Sequence, residues 1–407
     1  MGVNPRYKQT EVGEIPDDWG IASLGELTDE KRPISYGIVQ TGPAISNGVR
    51  CIRVVDIHDG KVNQAELITT STSISDSYKR TVLKAGDLVM PLRGKVGEVA
   101  LIDEALEGCN LTRGVALIGL RSGLSASFFK QAISSCATRG RLVLAMNGSA
   151  LQEIPIATLR AFKLAYPPTV AEQEAIAEAL GDADALIESL EQLLAKKRQV
   201  KQGAMQELLT GQTRLPGFSG EWIRTRLGDI CEISMGRTPS RLNPANWGAG
   251  HKWLSIADLK SKVVSEPKEE ITPHAASEMQ VVRMGTLLMS FKLSIGRLCF
   301  AGCDLYTNEA ICSFGNPKAH AEFLYYLLGR TDFSLYGKQA VKGYTLNKES
   351  LNAVGILLPA IEEQVAIASA LCDIDSEIDV LEAELTKARH IKQGMTQELL
   401  TGRIRLV

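Results

Sequence analysis

Hydrophobic positions along the chain follow two rhythms. From Leu180 through Ala183, Ile187, Leu190 and Leu194, apolar residues recur at alternating spacings of three and four. The same spacing returns at Leu371, Ile374, Ile378, Leu381, Leu385 and Ala388. That is the a/d seam of a coiled coil, and it predicts two long helices, each with one apolar edge. Prolines lead into both, in "YPPTVAEQ" and "LPAIEEQ", and a glycine follows "ELLT" at the end of both, as suits helix starts and stops. The first stretch, 173–209, would span about 55 Å if unbroken. Gly203 and Gly394 sit inside these stretches and are expected either to break the helix or to admit another backbone closely.

Elsewhere the rhythm is shorter. "GVRCIRVVDI", "GDLVMP", "EVALI" and "GVALIGL" are strand-like runs between Gly and Pro punctuation, whereas "SASFFKQAISSCATRG" and "HAEFLYYLLGRTDF" read as amphipathic helices. The expected fold class is therefore α+β: globular block, helix, globular block, helix, at 1–166, 167–214, 215–358 and 359–407.

The two helices are copies of one sequence. Aligned without a gap, 172–215 and 363–406 share about 26 of 44 residues, ending in "KQGAMQELLTG" and "KQGMTQELLTG". The blocks repeat more faintly. Trp222 falls on Trp19 and Leu227-Gly228 on Leu24-Gly25, while "KAGDLVMPLRGKVGEVALI" resembles "RMGTLLMSFKLSIGRLCFA", Gly86 matching Gly285 and Gly97 matching Gly296. Similarity between the N-terminal segment and the segment after the first helix implies that the two chain ends lie close together. Helices held to one sequence beside diverged blocks suggest one kind of surface kept twice and two surfaces free to differ.

Charge follows this division. The net charge of −2 conceals +2 over 1–165, −4 over 166–213, +4 over 214–358 and −4 over 359–407. Mildly basic blocks thus alternate with acidic helices, which points to an anionic partner for the blocks. In the first block the cations cluster in loop-like segments at Lys79, Arg80, Arg93, Lys95 and Arg113. In the second they are Arg237, Arg241, Lys252, Lys292, Arg297 and Lys342. Cations neutralise phosphates and fix register, and loop Arg, Asn or Gln side chains reach base edges.

Catalytic signatures are missing from the sequence. There is no GxxxxGK[ST], HExxH or GxSxG, and no GxGxxG after a strand. The five histidines are scattered and none recurs across the repeat. The recurring carboxylates Asp182/Asp184 and Asp373/Asp375 lie beside the seam, where solvated or partner-facing charge is expected. "AYPPTV" resembles the Asn-Pro-Pro-aromatic signature of amino-methyltransferases, but Tyr166 replaces Asn and no aromatic follows; it reads as a helix lead-in. Eight cysteines without regular spacing make no disulfide framework. Cys299, Cys303 and Cys312 near His320 admit a zinc site, but with no CxxC pair buried free thiols fit them better. No apolar run is long enough for a membrane span, and the N-terminal residues match neither a signal peptide nor the myristoylation pattern. A reducing cytoplasm is expected.

Proline-led "EQ" helices ending in "KQGxxQELLTG", twice, around two diverged blocks, resemble the DNA-specificity subunit of type I restriction-modification systems over essentially the whole chain. The resemblance implies a non-catalytic reader of double-stranded DNA in bacterial defence. Each block corresponds to a target recognition domain reading one half of a split, asymmetric site. The helices, as conserved spacers, would pair as an antiparallel coiled coil, set the half-site distance and dock two copies of a modification subunit. S-adenosylmethionine for adenine methylation belongs to that subunit, and ATP and Mg to the complex with a restriction subunit; no cofactor, metal or catalytic residue is expected in this chain. Gly148-Ser149 and Gly343-Tyr344 match the family's glycine-led segment before each helix, which adds Tyr344 to the candidate DNA contacts. The rival readings are a methyltransferase or nuclease with fused readers, a coiled-coil scaffold without nucleic acid, and a stand-alone bipartite DNA-binding protein.

Overall fold

The computed structural model describes residues 6–147, 152–292, 294–340 and 343–406. Two helices of 39 residues, Val170–Leu208 and Ile361–Leu399, stand out. The chain divides into two compact units, 1–191 with 384–407 and 192–383. Each unit therefore holds one globular block, the opening half of the helix that follows it and the closing half of the other helix.

The block in the first unit is built on a four-stranded antiparallel sheet, in the order Ala100–Leu101, Leu88–Pro91, Val115–Ile118, Ser35–Tyr36. Its two central strands are buried along their whole length, which explains their unbroken apolar runs. A three-stranded sheet sets Val49–Ile52 between a parallel neighbour, Asn110–Leu111, and an antiparallel one, Ile68–Thr70. Lys163–Tyr166 returns beside Gly20–Ser23 to close the block.

The second block repeats this plan with little of the sequence. Leu298–Ala301, Leu287–Ser290, Ile311–Gly315 and Glu232–Met235 take the four sheet positions, and Val263–Val264 adds a parallel edge. Tyr306–Thr307, Trp247–Leu254 and Glu269–Ile271 form the three-stranded sheet. Ile223–Arg226 pairs with Gly355–Leu358.

One predicted block helix is two. Ser135 is extended and its hydroxyl accepts the Thr138 N–H, ending Ala126–Ser134 and capping Cys136–Leu144. A serine that satisfies an orphan donor this way competes with helix continuation. The expectation for Gly203 and Gly394 also fails in both forms. The helices run straight through them, and a Cβ added at either would meet nothing within 4 Å among the described residues. A single helical glycine costs only about 1 kcal/mol, and buried neighbours such as Leu208 and Leu399 outweigh it.

The seam residues lie inward. Leu180, Leu194, Leu371, Ile378 and Leu385 are buried, and Ala183, Ile187, Leu190, Ile374 and Leu381 are half-buried, whereas the off-seam Leu186 and Leu193 are exposed. The helices run antiparallel in both units. In the first, Asp184 pairs with Lys392 and Glu191 with Arg389. In the second, Lys197 pairs with Glu377, Arg198 with Glu382 and Lys201 with Asp375. Asp184 also accepts from Gln131, and Asp375 from the Tyr326 hydroxyl, so these recurring carboxylates tie block to helix.

The "EQ" at each helix start is buried, and its partners repeat. Glu172 receives both arms of Arg405 (Nη2–Oε2 2.7 Å), and Glu363 receives Arg214 (Nη2–Oε2 2.6 Å). Gln173 accepts the Ser125 N–H at 2.9 Å and donates to the Pro167 carbonyl; Gln364 does the same with His320 and Pro359. Both arginines follow a helix-ending glycine in the left-handed region, Gly211 or Gly402. A Cβ there would press to 3.3 Å from Trp222 or 2.5 Å from Pro16. Arg405 also reaches Asp18, and Gly402 packs on Pro16 and Trp19, so the two described ends of the chain meet in the first unit. Those carboxylates push the Arg405 guanidinium further above its ordinary range.

Replacing Arg405 with Met strands a buried carboxylate and should lower unfolding free energy by about 3 kcal/mol. Changing Glu172 to Met as well should restore most of that loss. Urea unfolding followed by circular dichroism reads both; a double variant no more stable than the single one would mean that the pair is not coupled.

Candidate nucleic-acid interface

In the first unit, pairing of Val115 with Pro91 carries the two central strands out of the sheet at one end. Leu92 donates to the Gly114 carbonyl at 2.8 Å, setting Arg93 and Arg113 on adjoining loops. A Cβ on Gly114 would stand 3.5 Å from Arg93 Nε. Both arginines are exposed, with no ion partner among the described residues. Lys95 follows Arg93 but turns away. Its ammonium donates to the Ile57 carbonyl at 3.0 Å and lies 2.7 Å from His58 Nδ1 and 3.7 Å from Glu98. Ile154 donates to the Leu92 carbonyl, and Glu153 bridges to Arg93 and Asn147. Asn147 and Glu153 thus lie beside this loop, whereas Gly148 and Ser149 lie outside the described residues. Lys79 and Arg80 occupy another turn, held where Thr81 donates to Asn110 Oδ1 at 2.7 Å. They too are exposed without an ion partner among the described residues.

The second unit forms the matching end. Phe291 donates to the Ala310 carbonyl at 2.9 Å, and Leu346 donates to the Phe291 carbonyl at 3.4 Å. Lys292 lies on this loop, its ammonium 5.4 Å from the centre of the Phe291 ring. Arg297, exposed, opens the return strand and donates its backbone N–H to Ser290 Oγ at 3.1 Å. The hairpin of Lys338–Ala340 and Gly343–Thr345 runs into the same loop. Lys342 lies outside the described residues, as does the Tyr344 side chain.

The other candidate cations of this block, Arg237, Arg241 and Lys252, already have partners. Arg241 is clamped by Glu269 (Nη2–Oε2 2.9 Å), and its guanidinium lies 3.7 Å over the Trp247 ring. Lys252 bridges Glu266 and Glu270 at 2.9 and 3.0 Å, and Arg237 meets Glu278 at 3.4 Å. The hydrogen bonds that Arg241 donates to Glu269, and Lys252 to Glu266 and Glu270, raise both cations above their ordinary ranges. Their charges are visible in the sequence, whereas the carboxylates that neutralise them, distant in the chain, are not.

Glu309, an acceptor and so no part of the cationic pattern, lies in the loop beside Lys292. Its carboxylate accepts from the Thr238 hydroxyl, which holds it below the usual carboxylate range, with Lys292 and Arg241 adding smaller pulls. The cysteines are quieter. Burial pushes Cys299 up to about 12 and Cys312 higher still. Among the described residues no cluster of three or more His, Cys, Asp or Glu could hold a metal ion. Nor is any described helix long and apolar enough to cross a membrane.

Each unit thus carries a block of one plan, with a polar loop end, against two antiparallel helix segments. The family model for the type I restriction modification DNA specificity domain matches residues 16–197 and 219–389, and the chain belongs to that family. It is 25% identical to a Methanocaldococcus jannaschii protein bearing the name type I restriction enzyme MjaX specificity subunit, over 98% of this chain and 97% of that one. It is 36% identical over 104 residues, 26% of this chain and 22% of the other, to the type I restriction enzyme EcoBI specificity subunit of Escherichia coli. The crystal structure of the type I restriction-modification system S subunit from M. genitalium superposes with a TM-score of 0.59 at 15% identity, covering 98% of this chain and 99% of that one. At that identity the likeness is one of fold.

Free and neutralised cations should separate in a salt titration. If Arg93 contacts a phosphate, Arg93→Ala weakens duplex binding and lowers the slope of log K against log salt by about 0.9. Arg241→Ala, which removes a charge already balanced by Glu269, should leave that slope unchanged. Fluorescence anisotropy at several salt concentrations measures both.

Proposed function

We propose that this chain is the non-catalytic specificity subunit of a type I restriction-modification complex, each block reading one half of a bipartite, asymmetric duplex site. The observation that carries this reading is the contrast within one architecture. The helix residues that pair Glu172 with Arg405 and Glu363 with Arg214 are identical in both copies, while the loop ends of the blocks differ. Two like helical surfaces suit two copies of one modification subunit, and two unlike loop ends suit two unlike half-sites.

On this reading the paired helices set the half-site distance, on the order of one duplex turn. The acidic helices face protein and the basic blocks face phosphate. The modification subunits supply S-adenosylmethionine and adenine methylation, and a restriction subunit adds ATP- and Mg-dependent translocation and cleavage, all in the cytoplasm. A protein that reads DNA alone is the alternative.

The test is co-expression with a type I modification subunit of the same organism, purification of the complex, and mapping of methylated adenines on a plasmid library. Methylation confined to one split, asymmetric motif is expected. Methylation by this chain alone, or failure to hold a methyltransferase, would overturn the reading.

A further inference from the structure

The loop ends of the two units can be matched atom by atom through their backbone hydrogen bonds, without reference to side chains. Gly37 donates to Val115 and Gly236 to Ile311; Thr112 donates to Ile52 and Asn308 to Leu254; Val115 donates to Thr112 and Ile311 to Asn308. On the adjoining loop, Leu92 donates to Gly114 and Phe291 to Ala310, while Lys95 donates to Arg93 and Ser294 to Lys292. Gly97 and Gly296 both take the left-handed conformation. This frame makes Arg93 equivalent to Lys292, and Arg113 equivalent to Glu309.

The two equivalences differ in kind. At the first, both units keep a cation. At the second, charge and hydrogen-bonding sense invert: Arg113 is a donor and Glu309 an acceptor. Both are exposed and neither is used by the core. A contact that positions a duplex by its phosphates has no reason to differ between half-sites, whereas a contact that reads a base edge must differ when the bases do.

We propose that Arg113 and Glu309 are the equivalent base-reading residues of the two units, and that Arg93 and Lys292 are their equivalent phosphate contacts. This rests on the reading of the chain as a two-headed DNA reader. Arg113 offers a donor fork suited to guanine O6 and N7; Glu309 accepts from an exocyclic amino group, of cytosine N4 or adenine N6. The Thr238 hydroxyl orients the Glu309 carboxylate and keeps it ionised, hence acceptor-only. No such acceptor side chain stands at the matching place in the first unit.

The experiment selects duplexes of random sequence with the complex of this chain and its modification subunit, and sequences the bound pool. Glu309→Ala should lose about five- to 150-fold of discrimination at one base pair of one half-site and leave the other half-site unchanged. Arg113→Ala should do the same at one G·C pair of the opposite half-site. Glu309→Gln separates the two amino donors, because Gln pairs with adenine: the preference moves to adenine if cytosine is read and stays if adenine is read. Lys292→Ala should weaken binding to every sequence alike. If the wild-type complex selects a bipartite motif that both Ala variants reproduce unchanged, this assignment is wrong while the two-headed reading stands. If the wild-type complex selects no motif, the reading fails and takes the assignment with it.

Discussion

The structure turns on a carboxylate that could not be buried alone. Glu172 and Glu363 open the long helices from inside the protein, and each is held by an arginine from the tail of the other helix, Arg405 or Arg214. Isolated burial of such a charge costs several kcal/mol, and a buried pair does little better than well-packed apolar groups. Its effect is on register. A coiled-coil seam repeats every seven residues, so apolar contact alone would tolerate a slip of one heptad. The ion pair would not, because a slip leaves Glu172 buried without its guanidinium. The adjacent Gln173 and Gln364 extend the same constraint into the blocks, by accepting the N–H of Ser125 and His320 at the start of a block helix.

This explains why so many helix positions are identical between the copies. Asp184 and Asp375 each face a lysine of the opposite helix and a donor from a block, Gln131 or Tyr326. Glu191 and Glu382 each face an arginine, Arg389 or Arg198. Exposed pairs of this kind contribute little stability one at a time, but each member restricts what its partner can become. Partnership within one helix pair therefore accounts for much of the repetition. The remainder, including the exposed Gly203 and Gly394, has no partner to answer for it among the described residues.

Long-period features were legible from sequence and local ones were not. The seam, the alternation of block and helix, and the meeting of the chain ends follow from patterns repeated over many residues, where no single contact decides. Ser135 turned one expected helix into two because one hydroxyl satisfied one amide. Arg241 and Lys252 looked free because Glu269, Glu266 and Glu270 lie 14 to 28 residues away in sequence. Glu309 went unnoticed for a different reason. A search for nucleic-acid contacts that weighs only positive charge finds phosphate-binding groups and passes over acceptors, although acceptors are half of the code at a base edge.

The matched backbone frame has an evolutionary consequence that follows from physics alone. The amide–carbonyl bonds that seat Arg113 and Glu309 involve no side chain at either position, and both side chains are exposed. Exchanging one for the other costs the fold almost nothing, since exposed substitutions away from caps and buried partners usually fall within about 0.5 kcal/mol. Glu172 and Gln173 have no such freedom, because burial ties each to its hydrogen-bond partners. A chain built this way can change what its loop ends meet while its helix pair stays fixed. That is the division seen between its diverged blocks and its repeated helices.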